Sequence, residues 1–194
     1  MIFRFQPFDV DQKLGECYNY HCSTVPRETD YIQIMDYDSM ILTTKTYRVI
    51  ENAINNPENA HIQIFGAMTN RIGRSIQRLL PEPDENDSIK HHIAIAEKLA
   101  DQYPNGETHE ALMAAGFFLL FQKSYWEQNK FQEHIISDQG QLFDQAFCQS
   151  ARKQKRVAII KGAYIWHTYR LTHEDWHSKE HLGINRLAHA NEEN

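Results

Sequence analysis

The run LMAAGFFLLF, Leu112 to Phe121, constrains the fold more than any other stretch of the chain. It is nearly unbroken in apolar character, yet half the length that a membrane-spanning helix needs. A strand with one wet face alternates apolar and polar residues, whereas a run like this one reads as a strand buried on both faces. Burying both faces of a sheet takes helices above and below it. The rest of the sequence supplies both kinds of element. Strand patterns cover IFRFQPF (2–8, stopped by Pro7 and Asp9), YIQIM (31–35) and HIQIFGAM (61–68), with one or two more over RVAIIKGAYIWHTYR (156–170).

Helical patterns fall between them. KLGECYNYHCSTV (13–25) reads as a short helix despite Gly15. Thr43 or Thr44 can cap a helix carrying Tyr47, Ile50 and Ile54, which NNPEN (55–59) breaks. Asp87 or Ser88 can cap another with Ile89, Ile93, Ala96 and Ala100 on one face, ending at YPNGE. DQGQLFDQAFCQSARKQ (138–154) is amphipathic, with Leu142, Phe143, Ala146 and Phe147 expected inward and Arg152 and Lys153 near its C-terminus. A last helix is expected from Thr172 through HEDWHSKEHLGINRL, with residues 191–194 as a frayed tail. Residues 69–87 carry two prolines and read as loop, and so long an irregular stretch in a compact domain is usually functional or mobile. The expectation is one α/β domain over residues 1–190, its sheet at least partly parallel.

Composition narrows the function classes. Over 194 residues, 41% hydrophobic and 24% charged content is ordinary for a globular chain, and the net charge of −6 argues against general nucleic-acid binding. Cys17, Cys22 and Cys148 are odd in number and form no CxxC pair, which points to a reduced compartment instead of a disulfide or zinc framework. With no signal peptide and no transmembrane run, the expected location is the cytoplasm.

The chemistry concentrates in YIQIMDYDSMILT (31–43), where a buried-strand pattern runs into Asp36 and Asp38. On a strand these two side chains share a face. Close, buried carboxylates repel each other unless a cation lies between them, and ligands of open α/β sheets sit beyond the carboxyl ends of strands. The second Asp-x-Asp, Asp9 to Asp11, follows a shorter strand and reads as a turn.

A strand, an Asp-x-Asp and a helix opening on Thr resemble the metal- and nucleotide-sugar-binding segment of GT-A fold glycosyltransferases, especially the family 2-like inverting enzymes. Three further stretches fall in that family's order: LGECYNYH (14–21, with Asn19), AAGFFLLFQKSYW (114–126) and FDQAFCQSARKQKRVAIIKGAYIWH (143–167). The resemblance implies a single GT-A-like domain with a mixed, mostly parallel sheet flanked by helices. It implies a sugar moved from a nucleotide-sugar donor to a hydroxyl acceptor, which could be a glycan, a lipid-linked glycan or another alcohol. Asp36 and Asp38 would hold Mn²⁺ or Mg²⁺, His167 would complete the metal shell, and Arg170 could meet the diphosphate. Asp144 stands where the family places its catalytic base, although the acid that usually precedes it is Phe143 here. The family also opens with two strands and a helix that hold the nucleobase, while this chain starts near the third strand. That implies an abbreviated donor site, one completed by a partner or a homo-oligomer, or a non-catalytic member serving in binding or assembly.

A rival reading rests on His173, His177 and His181, which recur every fourth residue and could make a metal protein, though they lack the His-Glu-x-x-His arrangement. TNRIG (69–73) could face an acceptor or simply turn the chain. His91 and His92 sit on a helix within possible reach of the cleft and carry no assigned role.

Overall fold

The computed structural model describes residues 1–8, 13–72, 75–81, 83–84, 86–132 and 142–168. The turn read at Asp9–Asp11 and the helix and tail expected after Thr172 lie outside the described residues. The elements run in the order β1 (Ile2–Phe5), α1 (Leu14–Ser23), β2 (Tyr31–Met35), β3 (Ser39–Ile41), α2 (Thr44–Asn55), β4 (Ile64–Thr69), α3 (Ile89–Gln102), β5 (Thr108–Glu110), β6 (Phe118–Gln122), α4 (Lys123–Gln128), α5 (Phe143–Lys153) and β7 (Val157–His167).

The described strands form one seven-stranded mixed sheet in the order β1-β2-β6-β4-β7-β3, with β5 also on β7. The sheet is not mostly parallel as expected. β1–β2 and β4–β7 are parallel, and the other four pairings are antiparallel. The physical reason is β6, which inserts antiparallel between β2 and β4, and the two short strands β3 and β5, which run antiparallel along the outer edge of β7. Counting directions through these pairings, β1, β2, β4 and β7 all point the same way. Their carboxyl ends therefore meet at one edge of the sheet.

Strand alternation sorts the apolar residues into two cores, one per face. Ile32, Ile34, Leu119, Phe121, Val157 and Ile159 pack with Tyr18 and Cys22 of α1, Tyr125 and Trp126 of α4, and Phe143, Phe147 and Ala151 of α5. Met35, Phe65, Ala67, Phe118, Leu120 and Ile160 pack with Val49, Ile50 and Ala53 of α2 and Ala100 of α3. Burying an aliphatic or aromatic side chain this way contributes about 1.5–3 kcal/mol each before entropy is counted.

Several local expectations shift. The strand read over Leu112–Phe121 covers only Phe118–Gln122, and Leu112 is exposed, because the residues before Phe118 form a buried turn instead of continuing the ladder. On α3 the buried face is His92, Ala96, Leu99 and Ala100, while Ile89 is half exposed. On α5 the inward residues are Phe143, Asp144, Phe147, Cys148 and Ala151, so an aspartate takes the place expected for Leu142 and Ala146. Thr43 caps α2 as expected, its hydroxyl accepting from the Thr46 N–H at 3.2 Å. The last pattern forms a single strand, β7, whose register with β4 shifts between Ala67 and Met68.

The loop after α3 locks onto α2 at Gly106, whose φ of +73° favours glycine and whose Cβ, if added, would lie 2.2 Å from the Ala53 nitrogen. Gly106→Ala should cost at least about 2 kcal/mol, from the left-handed conformation and the clash together. The urea midpoint measures it, and an unchanged midpoint would mean this contact does not hold the loop.

Candidate metal centre

β2 stops at Met35 because the chain turns there. The Ser39 N–H donates to the Asp36 carbonyl at 3.0 Å, and the Asp36 N–H donates to the Phe117 carbonyl at 3.2 Å. From the end of β1, the Gln6 side-chain amide donates to the carbonyls of Asp36 (2.9 Å) and Ser39 (2.6 Å), pinning the turn from outside. Asp36 and Asp38 thus sit in a turn, not along a strand, and the turn geometry brings their carboxylates together. β3 then carries the chain across to β7, where Ser39 pairs with His167. The Asp38 carbonyl accepts from the Thr168 N–H (3.0 Å) and from the Thr168 hydroxyl (2.9 Å).

The result is a convergence. His167 Nε2 lies 3.2 Å from Asp38 Oδ1 and 4.0 Å from Asp36 Oδ2. One ligand atom from each of the three lies within 4.8 Å of the others. Two carboxylates and an imidazole form a donor set that suits Mn²⁺, and one whose carboxylates alone suit Mg²⁺.

The imidazole is held by the residues just after β4. The His167 N–H donates to Asn70 Oδ1 at 2.8 Å, its Nδ1–H donates to the Arg71 carbonyl at 3.1 Å, and its ring stacks on Phe117 with centroids 5.4 Å apart. Fixing Nδ1–H in this way aims Nε2 at the aspartates, the outer support typical of histidine ligands. Arg71 is itself buried, its guanidinium donating to the Asp84 carbonyl (3.0 Å) and to the Asp87 carboxylate (2.6 Å). TNRIG therefore supports the site through Asn70 and Arg71, a role its turn-like composition did not reveal.

Charge explains the protonation. Burial, then the neighbouring Asp38 and Asp144, raise the Asp36 carboxyl to about 6 against the opposing pull of His167 and the Tyr18 hydroxyl, which donates to Asp36 Oδ1 at 3.2 Å. Burial disfavours a charged His167, but the hydrogen bond to Asp38 and the charges of Asp38 and Asp36 outweigh it and raise the imidazole above its usual range. Without a cation, protons on His167 and Asp36 moderate the repulsion. A divalent ion would replace them. Burial and Asp36 push the Tyr18 phenol far up, so it stays a donor.

Asp144 is buried at the start of α5, on the same side as Tyr18. Its Oδ2 accepts from the Gly116 N–H at 3.1 Å and its Oδ1 from the Gln145 N–H at 2.8 Å. These bonds tie α5 to the segment entering β6, and Asp144 is near enough to raise both Asp36 and Tyr18. Arg170, His173, His177 and His181 lie outside the described residues.

A second cluster, Asp84, His91 and His92, also brings ligand atoms within 4.8 Å. His91 Nε2 is 2.7 Å from Asp84 Oδ2. His92 donates through Nε2 to the Asn86 carbonyl and accepts at Nδ1 from the Tyr164 hydroxyl at 2.9 Å, and burial keeps it neutral. The Arg71 guanidinium beside it already supplies positive charge. This cluster clasps residues 84–88 onto α3.

Compared with known proteins, the chain matches no family model and no curated protein sequence. Among the described residues, no helix is long and apolar enough to cross a membrane. The supporting residues Gln6, Tyr18, Asn70 and Arg71 were not singled out by the sequence, since a lone Gln or Tyr on an amphipathic element carries no signal of its own.

The raised Asp36 has a thermodynamic sign. A carboxyl whose folded pKa of about 6 exceeds its unfolded value of about 4 favours folding on the acid side, and its cost appears as pH rises between those values. His167 acts in the same direction, because its raised pKa gives stability that is lost as pH rises through it. Asp36→Asn, which can still accept from Tyr18, should therefore raise the melting temperature of the metal-free protein more at pH 8 than at pH 5. An equal or opposite difference across that range would show that Asp36 carries no such strain.

Proposed function

We propose that this chain is a metal-dependent glycosyltransferase of the GT-A, family 2-like kind, moving a sugar from a nucleotide-sugar donor to an acceptor hydroxyl. The observation that carries the reading is the meeting of Asp36, Asp38 and His167 at the edge where β1, β2, β4 and β7 all end. Ligands of α/β sheets bind at such edges. The α/β architecture with a mixed sheet agrees with the expected fold class, and the order of the four resembling stretches supports the finer identity.

Each residue has a part in this reaction. Asp36 and Asp38 would hold the cation, with His167 Nε2 as the nitrogen ligand kept in aim by Arg71 and Asn70. Bound there, the ion would neutralise the charge that develops on the departing diphosphate. Tyr18, fixed as a donor, keeps Asp36 oriented. Asp144 is the candidate base that takes the acceptor hydroxyl's proton as the oxygen attacks the anomeric carbon. Its two backbone hydrogen bonds fix the carboxylate in place, as a base that must meet a proton in one geometry requires. Arg170, three residues beyond His167, is the candidate diphosphate contact.

Thermal stabilisation by UDP or GDP, with and without Mn²⁺, tests the assignment. Nucleotide stabilisation that requires Mn²⁺, and that Asp36→Ala and Asp38→Ala abolish while remaining folded, is the expected outcome. Either variant binding like the wild type would remove the Asp pair from the site. Stabilisation by Mn²⁺ with no nucleotide effect would point instead to a metal-binding protein.

Asp144→Asn should keep donor binding yet lose transfer by about 10²- to 10⁴-fold, since an amide keeps the shape and cannot accept the proton. Donor turnover near the wild-type rate would return Asp144 to the role of tying α5 to Gly116.

A further inference from the structure

The middle of β2 carries an anomaly. Gln33 lies between Ile32 and Ile34 in a central strand and is 1% exposed. Among the described residues its Oε1 has no hydrogen-bond partner, and its amide donates to the Met35 sulfur at 3.1 Å. A thioether is a weak acceptor, and an unpaired buried carbonyl is costly. Ser39, 3% exposed at the start of β3, likewise has a hydroxyl with no partner among the described residues. Both residues line the same cleft, about 460 Å³ in volume, on the α2 side of the sheet. Its floor also includes Arg4 and Met35, its walls include Tyr47 and Trp166, and Asp38 stands at its rim.

We infer that this cleft is a ligand subsite for an uncharged ring with an apolar face and hydrogen-bond donors on its edge. Gln33 Oε1 is an acceptor and can be satisfied only by an N–H or O–H, while the Ser39 hydroxyl can pair with either kind of group. Tyr47 and Trp166 offer apolar ring surface, and the volume falls within the range of small-molecule sites. The Arg4 guanidinium is already engaged, lying 5.1 Å from the Tyr47 ring centroid and bonded to Glu51 at 3.2 Å. That leaves the cleft suited to a neutral ring and not to a phosphate. Because Asp38 forms the rim, the ring belongs to a molecule that also reaches the candidate metal centre. On the transferase reading, from which this step follows, two sources share that chemistry: the nucleoside of the donor and a sugar residue of the acceptor.

Gln33→Met and Tyr47→Ala in the full chain test the inference against Mn²⁺ alone, UDP and GDP with Mn²⁺, and methyl α-glucoside and methyl α-galactoside followed by saturation-transfer NMR. Gln33→Met removes the unpaired carbonyl at nearly constant volume, so its metal-free melting temperature should rise while ligand binding weakens about five-fold or more. Affinity for Mn²⁺ alone should not change in either variant. Weaker nucleotide binding in both variants assigns the ring to the donor. Intact nucleotide binding with loss of the glycoside signal assigns it to the acceptor. Nucleotide binding intact in both variants with no glycoside signal in the wild type overturns the subsite and leaves the transferase reading standing. A wild type that binds a glycoside, loses it in the variants and never binds nucleotide keeps the subsite and overturns the transferase reading. A wild type that binds neither, with water alone satisfying Gln33 and Ser39, overturns both.

Discussion

The molecule is organised around a repulsion. Two carboxylates two residues apart are turned toward each other and toward a third, Asp144, at a sheet edge that is partly closed to water. Unit charges of like sign a few ångströms apart repel by several kcal/mol near a protein surface, so the turn does not hold itself together. It is held from outside. Gln6 grips its carbonyls from β1, Thr168 grips Asp38 from the end of β7, and Tyr18 grips the Asp36 carboxylate from α1. Each of these grips depends on the strand order. Only a sheet in which β1, β2, β4 and β7 run the same way can bring the four ends to one place.

Support for the histidine extends further out. His167 depends on the Arg71 carbonyl and on Asn70, Arg71 depends on Asp87 and the Asp84 carbonyl, and Asp84 with His91 and His92 clasps that loop to α3. Tyr164, three residues before His167 and so on the opposite face of β7, completes the clasp by donating to His92. β7 therefore fixes both ends of the arrangement, presenting Tyr164 on one face to the clasp and His167 on the other to the aspartates. The long irregular segment after β4 is thus tied to the same strand that carries the candidate ligand.

Much of this was legible in the sequence, and the failures have physical causes. YIQIM, the Thr43 cap and the amphipathic α5 follow from period and capping, which are local. The three candidate ligands could be named from residue type and position, and the structure brings Asp36, Asp38 and His167 together. What could not be read was the turn that holds the aspartates, because strand alternation and a tight turn both place residues i and i+2 near one another. The antiparallel insertion of β6 was invisible for a related reason: an apolar run buried on both faces has no direction. Asp144 read as a helix-terminal acid or a base, and its burial against Gly116 depends on a tertiary contact that no local pattern encodes.

Unpaired polar groups give the last step. Five buried side-chain atoms lack a partner among the described residues, and three of them, Gln33 Oε1, Ser39 Oγ and Asn70 Nδ2, belong to residues that line the cleft or hold His167. Native structures leave few such groups, because each one costs about 1–3 kcal/mol. A protein selected for stability alone would place Met or Leu at position 33 and lose nothing in packing. Retaining an amide there makes sense if a ligand satisfies it. The repulsion between Asp36 and Asp38 has the same logic, since it is a cost to the empty protein that a cation would remove. Instability at this edge and the capacity to bind there are then one property of the same residues.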